Sequence, residues 1–244
     1  MIELNEIESK YLNLMENKIS VKEFENWVYE SNWLEAELTE DEYIDLISLN
    51  YKASSAKYEI GKVLKKKFDE GKLETVKMLN LLNSIIERDE KEGEALTIMY
   101  DLYCKGYYFL EDLGLGIGLH IEVPYKFGVE YYHELNDEKK KELVDSVYPS
   151  AKILAKELKN WLLLGDLKLT GKREPELNRW QYIDNRTPED KKSRVWKVSD
   201  IDKKTGKIRS KKNLLMNNNG DFKTGKEDTG SWIERIFKKK KPNR

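Results

Sequence analysis

The sequence has few of the residues on which common catalytic and metal sites depend. Its 244 residues include one cysteine, Cys104, and two histidines, His120 and His133, with no HExxH or CxxC spacing. A single cysteine excludes an internal disulfide or a multi-cysteine zinc site and suits a reducing cytoplasm, and we expect Cys104 to be buried. No GxSxG motif occurs, and a hydroxyl or thiol nucleophile would have to recruit one of two distant histidines. We therefore predict a protein that is not an enzyme and needs no metal or cofactor.

Long apolar runs are also missing from the chain. No segment approaches the roughly 18 apolar residues that span a bilayer. Met1 to Glu6 lack the basic and then apolar pattern of a signal peptide. We expect a cytoplasmic protein without a membrane partner. Charged residues make up 36% of the chain, against about 25% in typical globular domains, so its surface is heavily solvated.

The net charge of −1 conceals two regions of opposite sign. Residues 166–244 carry 23 Lys and Arg against 12 Asp and Glu, whereas residues 1–165 carry 21 against 33. The two regions therefore have net charges of +11 and −12. Either the basic region folds onto the acidic one, or each meets a partner of opposite charge. Both interpretations fit the sequence.

Apolar residues follow helical spacing from Ile2 to Leu164, which predicts a mainly α, bundle-like body of about eight helices over residues 1–165. Two helix starts carry a capping box, a Ser or Thr followed three residues later by Glu: Ser20 with Glu23, and Thr39 with Glu42. We expect breaks at Gly71, in the glycine-rich segment from Gly106 to Gly118, and at Pro149, and a stop at Gly165. The alternation in residues 119–123 predicts a short strand.

Beyond Gly165 the pattern changes to short alternating stretches separated by polar turns. Residues 167–170, 180–183 and 195–198 are typical of strands, so we predict a small basic β-containing appendage over residues 166–202. Apolar residues then become sparse and lysines follow one another. Residues 203–244 are therefore predicted to form a loosely ordered basic tail, with one helical turn around Trp232.

Three further patterns favour a structural over a chemical interpretation. The segment from Gly114 to Gly118 lacks both GxGxxG and Walker spacing, and indicates a close-packed turn. His120 and Glu122 would share a strand face as a proton-transfer pair, although a surface hydrogen bond is the commoner outcome. A metal-dependent nuclease could use acidic residues after Gly165, yet such a set is more often solvated surface. That set is Asp184, Glu189, Asp200 and Asp202.

The best candidate binding site is an acidic stretch around the start of the third helix. Its carboxylates would stabilise the helix dipole, which is their ordinary role. Beside exposed aromatic side chains they could instead imitate a polyanion and steer a basic nuclease into a blocking complex. We take as candidate partner-binding residues Trp33, Glu35, Glu37, Asp41, Tyr43 and Asp45.

An alternative function is nucleic-acid binding through residues 166–244. Their basic residues are interleaved with Trp180, Tyr182, Trp196 and Trp232, so cations could meet phosphates while bases stack on the rings. We favour the simpler interpretation that the tryptophans form a small core in the appendage.

Residues 19–29, 46–52 and 101–110, with Leu113 to Gly116, resemble small Gram-positive bacterial proteins that look like immunity proteins of secreted polymorphic toxins. The resemblance covers roughly the first half of the chain. It implies a cytoplasmic protein that binds a cognate toxin and neutralises it. The acidic charge of residues 1–165 would suit a nuclease toxin. No binding residue transfers by motif, and the basic extension after Gly165 is not part of the shared pattern.

Overall fold

The chain is mainly α-helical, as predicted. The computed structural model describes residues 2–192 apart from Pro149, and the predictions for residues 193–244, including the third strand and the tail, lie outside that range. Within the described residues there are ten α-helices. In chain order they are α1 (Glu6–Met15), α2 (Val21–Glu30), α3 (Leu34–Glu37), α4 (Glu40–Ile47), α5 (Ala56–Leu64), α6 (Glu70–Glu87), α7 (Glu92–Cys104), α8 (Leu119–Glu122), α9 (Asp137–Val147) and α10 (Ser150–Leu164).

Two strands follow the last helix, where the sequence predicted them. They are β1 (Leu167–Arg173) and β2 (Trp180–Asp184), and they pair as a small antiparallel sheet. Gly165 has a φ of +78°, the left-handed conformation in which glycine commonly ends a helix. The predicted helix stop and the appended sheet are thus confirmed.

The described residues fall into two compact units. Unit 1 comprises residues up to Val76 together with Leu169–Lys172, and unit 2 comprises Lys77–Lys168 and the residues from Arg173 onward. The division lies inside α6 and crosses β1, where composition gives no signal. The boundaries drawn after Gly165 and Asp202 from composition remain predictions of domain organisation.

Both predicted capping boxes are present, and α1 has a third. The Thr39 N–H donates to Glu42 Oε2 at 2.9 Å while the Glu42 N–H donates to Thr39 Oγ1 at 3.3 Å, and Ser20 and Glu23 repeat the arrangement. These bonds satisfy backbone N–H groups that have no partner inside the helix. The starts of α2 and α4 are therefore fixed by local sequence.

The core of unit 1 is built from the inward faces of its helices. Phe24, Trp27 and Val28 of α2 lie against apolar residues from every other helix of the region up to Leu64. The indole N–H of Trp27 donates to Glu6 Oε1 at 2.9 Å, so this large ring is packed and its polar atom is satisfied. The remaining buried members of the core are Ile7, Leu14, Leu34, Leu38, Leu46, Tyr51, Ile60 and Leu64.

The predicted strand at residues 119–123 is wrong. Residues Glu111–Gly118 form a π-helix that continues directly into α8. Gly114 and Gly118, four residues apart, press this π-helix against the backbone of α7. A Cβ at Gly114 would lie 2.5 Å from the Met99 carbonyl oxygen, and one at Gly118 would lie 2.6 Å from that of Leu96. The segment is close-packed, as expected, but it is helical and not a turn.

Two smaller predictions also need correction. Gly71 lies in the first turn of α6 instead of between helices, because the chain breaks earlier, around Phe68 and Asp69. Cys104, expected to be buried, is exposed at the end of α7. Among the described residues no helix is long and apolar enough to cross a bilayer.

Gly114→Ala and Gly118→Ala should each lower the free energy of unfolding by about 1–3 kcal/mol, because the added methyl group has no room against the α7 backbone. Urea unfolding followed by circular dichroism measures the change. Leu115→Ala is the matched control on the same π-helix: Leu115 is 36% exposed, and its loss should cost no more than about 0.5 kcal/mol. Equal effects at all three positions would contradict the packing argument.

Candidate functional site

The acidic candidate site lies on α3, on α4 and on the turns before them. From Glu23 to Tyr51 the chain has nine carboxylates and no Lys or Arg. Glu35 and Glu37 of α3 and Asp41 and Asp45 of α4 are exposed, and α3 packs on α4. The sequence therefore predicted the position of the charge correctly, and the exposed carboxylates come from two helices in contact.

Glu42 is the carboxylate of this stretch with the clearest structural role. It caps α4 through the Thr39 N–H and forms a salt bridge of 3.2 Å with Lys67 Nζ. The Thr39 backbone bond, with help from Lys67, holds the pKa of Glu42 below its ordinary value. Glu42 is thus committed to the fold.

The other carboxylates of α3 and α4 lack such partners. Within the described part of the chain, no salt bridge or side-chain hydrogen bond is formed by Glu35, Glu37, Glu40, Asp41 or Asp45. Glu40 and Asp41 stand in the first turn of α4, where a negative charge favours the helix dipole. Asp45 stands in its last turn, and α3 is a single turn with little dipole. Glu35, Glu37 and Asp45 therefore do little for the fold.

The aromatic candidates behave differently from one another. Trp33 is 37% exposed, with its ring edge-on to Trp27 at a centroid distance of 6.1 Å. Tyr43, expected to be exposed, is half-buried and packs on the unit 1 core. Ile44, next to it, is 48% exposed. The apolar side chain that α4 presents among the acidic residues is thus Ile44.

Ile44 is an exposed candidate residue that the sequence analysis missed, although helical spacing could have found it. Asp41 and Asp45 flank Ile44 on the outward face of α4, whereas Tyr43 and Leu46 point to the core. Tyr29 of α2 is also exposed, but its hydroxyl donates to the Ile47 carbonyl oxygen at 2.9 Å. We define the acidic surface by the exposed carboxylates and large apolar side chains of residues 33–45. They are Trp33, Glu35, Glu37, Glu40, Asp41, Ile44 and Asp45.

Unit 2 contains a buried carboxylate, Glu92, at the start of α7. Its Oε2 accepts a hydrogen bond from Arg88 Nε at 3.1 Å, and Arg88 also binds Asp145. The second oxygen, Oε1, is buried and has no hydrogen-bond partner among the residues described. Burial raises the pKa of the Glu92 carboxyl, against the opposing effect of Arg88. Arg88 and Asp145 therefore give the cluster a structural role, while Oε1 stays unsatisfied.

His120 and Glu122, weighed for catalysis, are not on a strand as predicted. His120 and Glu122 lie on the short helix α8, and the histidine whose charge acts on Glu122 is His133. Burial and then Asp101 raise the pKa of Glu122, whereas His133 lowers it. Across the described ranges, no three His, Cys, Asp or Glu side chains are placed to hold a metal ion.

Four acidic residues after Gly165 were considered for a metal-dependent nuclease, and two of them lie within the described residues. Asp184 accepts two hydrogen bonds from the Arg186 side chain, at 3.0 and 2.8 Å, and one from the Arg186 backbone N–H at 3.1 Å. Burial opposes ionisation, but these bonds hold the pKa of Asp184 below its ordinary value. Glu189 pairs with Lys192 on the surface. Asp200 and Asp202 lie outside the described residues. Asp184 and Glu189 each have a cationic side chain as partner.

Trp180 and Tyr182 pack on Tyr107 and Phe109 of unit 2, and not in a separate core of the appendage as the simpler interpretation predicted. The Tyr107 ring lies parallel to Trp180 at 5.9 Å, and Phe109 meets Tyr182 edge-on at 4.9 Å. Both rings of β2 are half-buried in this aromatic cluster. Trp196 and Trp232 lie beyond the described part of the chain.

Comparison of the chain with protein-family models, with curated proteins and with solved structures finds no match.

Glu92→Gln should become more stable relative to the natural protein as the pH rises from about 4.3, the unfolded value. The pKa of Glu92 is raised on folding, so the stability this group contributes is complete below the unfolded pKa and is lost as the pH rises through the folded pKa. Urea unfolding between about pH 4 and pH 8 measures the difference. The exposed neighbour Glu90→Gln is the control. A difference that does not vary with pH would show that burial of Glu92 is not coupled to its ionisation.

Proposed function

We propose that this protein is a non-enzymatic, cytoplasmic binding protein that neutralises a cognate bacterial toxin by direct contact through the acidic surface. The observation that carries the proposal is a set of exposed carboxylates without a structural role, Glu35, Glu37 and Asp45, beside the exposed apolar side chains Trp33 and Ile44. The resemblance to immunity proteins of polymorphic toxins supports the same function.

The charge of the surface selects the class of partner. Unneutralised carboxylates attract a basic protein over about one Debye length, roughly 8–10 Å at physiological salt. A nuclease fits this requirement, because its substrate channel must be basic to hold phosphates. When the partner is bound, Trp33 and Ile44 bury apolar surface away from water. Buried apolar side chains at the centre of an interface contribute much of its binding energy. Binding of that kind would block the channel without any reaction.

The titratable clusters support a binding role over a catalytic one. Glu92 is held by Arg88 and Asp184 by Arg186, so the buried Glu92 and the half-buried Asp184 each have a cation that stabilises the fold. The charges of the acidic surface have no such partner among the described residues, and they are therefore available to another molecule.

The proposed function is tested by expression with the product of the gene immediately upstream of this one. That product alone should arrest growth, and co-expression of this protein should restore it. The two proteins should also co-purify as a stable complex. Normal growth with the upstream product alone, or arrest that this protein does not relieve, would rule out neutralisation of that product.

Reversal of charge at Glu35, Glu37 and Asp45 together, each to Lys, should slow association with the toxin by about tenfold or more at low salt. Steering depends on the summed charge of the surface, whereas the dissociation rate depends on the contacts made after docking. Stopped-flow fluorescence at several salt concentrations measures both rates.

The matched control reverses three exposed carboxylates of unit 2 that also form no salt bridge among the residues described: Glu90, Glu138 and Glu176. It changes the net charge equally and should leave the association rate within about twofold. If both triple variants slow association alike, net charge is responsible and the acidic surface is not the binding site. Trp33→Ala should instead raise the dissociation rate.

A further inference from the structure

The four arginines among the described residues divide into two kinds. Arg88 and Arg186 bind carboxylates: Arg88 Nε lies 3.1 Å from Glu92 Oε2, and Arg186 Nη2 lies 2.8 Å from Asp184 Oδ2. Arg173 and Arg179, at the two sides of the turn that joins β1 to β2, are exposed and form no salt bridge within the described ranges. Two guanidinium groups of the same hairpin are thus left without a carboxylate partner among the described residues.

Aromatic rings and an amide hold these two guanidinium groups in place. The Cζ atom of Arg173 lies 4.2 Å from the centroid of the Trp180 ring, and its Nη1 donates to Asn178 Oδ1 at 3.0 Å. The Cζ atom of Arg179 lies 5.7 Å from the centroid of the Tyr108 ring. Both distances are in the range of cation–π contacts, which restrict the side chain but leave the N–H groups free to bind.

The turn itself is fixed to the body of unit 2. The Trp180 N–H donates to the Lys105 carbonyl oxygen at 2.8 Å, and the Glu174 N–H donates to the Arg179 carbonyl oxygen at 2.7 Å. Gly106 has a φ of +114°, and a Cβ there would lie 2.9 Å from Arg179 Cβ. The close approach of the turn to Gly106 therefore keeps Arg179 beside Tyr108.

We propose that Arg173, Arg179 and Tyr108 form a binding site for single-stranded nucleic acid. A planar guanidinium offers paired N–H donors to a phosphate, and a free one gains more from that contact than one already bound to a carboxylate. Tyr108 is 44% exposed, so part of its ring can meet an unpaired base, which a duplex would not offer. Trp180 and Tyr182 are committed to the aromatic cluster, and Tyr108 is the stacking residue.

The rest of the chain supports the same class of ligand. Residues 193–244 carry 16 Lys and Arg against six Asp and Glu, a strong net attraction for a polyanion. The site uses none of the residues of the acidic surface. It is therefore independent of the proposed toxin neutralisation, and either proposal can fail alone.

The test is fluorescence anisotropy of the full chain with a labelled single-stranded DNA of about 20 nucleotides, and with the same sequence as a duplex, over a series of salt concentrations. The natural protein should bind the single strand more tightly than the duplex. Arg173→Gln with Arg179→Gln should weaken single-strand binding by about tenfold and reduce the slope of log affinity against log salt by about 1.4, the value for two phosphate contacts.

A matched control removes two positive charges elsewhere in unit 2, by Lys139→Gln with Lys140→Gln on α9. It should leave affinity and slope nearly unchanged. Arg173→Lys with Arg179→Lys should keep most of the salt slope but lose affinity, because lysine lacks the planar fork. Tyr108→Leu should weaken binding with no change in slope. Circular dichroism confirms that each variant is folded.

Three results would overturn the proposal. The first is a natural protein that binds neither probe. The second is unchanged binding by the double glutamine variant, which would assign the affinity to the basic residues 193–244. The third is duplex binding as tight as single-strand binding, or full affinity in the lysine variant, since either would show that charge alone and not the fixed geometry determines recognition.

Discussion

The absence of any Lys or Arg between Glu23 and Tyr51 is the constraint from which the candidate site follows. Nine carboxylates in that range must be stabilised by hydrogen-bond donors of the backbone or of neutral side chains, by a cation from elsewhere in the chain, or by water. The capping N–H groups of Ser20 and Thr39 bind two of them, and Lys67 adds a cation to Glu42. Most of the others are exposed to water. The potential of the acidic surface is therefore a direct result of local composition.

Three carboxylates that are buried or half-buried differ from those of the acidic surface, because they have a cation as partner. Glu8 Oε2 lies 2.6 Å from Lys72 Nζ, Glu92 is bound by Arg88, and the half-buried Asp184 is bound by Arg186. An ion taken out of water needs such a partner, because its desolvation costs several kcal/mol. Charged side chains that have a partner of opposite charge, and so stabilise the fold, can thus be distinguished from those without such a partner among the described residues. The same criterion selects the acidic surface in unit 1 and the two stacked arginines in unit 2, and each set has one sign.

The parts of the fold that depend on a few adjacent residues could be predicted from the sequence. The capping boxes at Ser20 and Thr39 and the glycine stop at Gly165 are local, and all three are found where they were expected. The strand predicted at residues 119–123 rested on five alternating residues. The actual conformation depends on Gly114 and Gly118 meeting the α7 backbone, a tertiary contact that alternation does not report.

The exposure of the candidate residues could be predicted only in part, for a similar reason. The density of acidic residues indicated a segment whose carboxylates are mostly exposed, yet the choice between Tyr43 and Ile44 needed the rotation of α4 about its axis. That rotation is set by the burial of Leu46 and by the one-turn helix α3, which the pattern did not reveal. The arginines of the β1–β2 turn gave no signal at all. Their distinguishing property is the lack of a carboxylate partner among the described residues, which only a three-dimensional structure can show.

Leaving like charges unneutralised has a cost that a ligand can remove. Asp41 and Asp45 are four residues apart on α4 and repel each other by about 0.2–0.5 kcal/mol, and Asp45 also stands at the unfavourable end of the helix dipole. A basic partner that binds this surface reduces both the repulsion between Asp41 and Asp45 and the unfavourable interaction of Asp45 with the helix dipole. Part of its binding energy therefore comes from repulsion present in the free protein. Phosphates that contact Arg173 and Arg179 would likewise neutralise charges that have no carboxylate partner among the described residues. Because the two sets have opposite sign and share no residue, a ligand suited to one is repelled by the other.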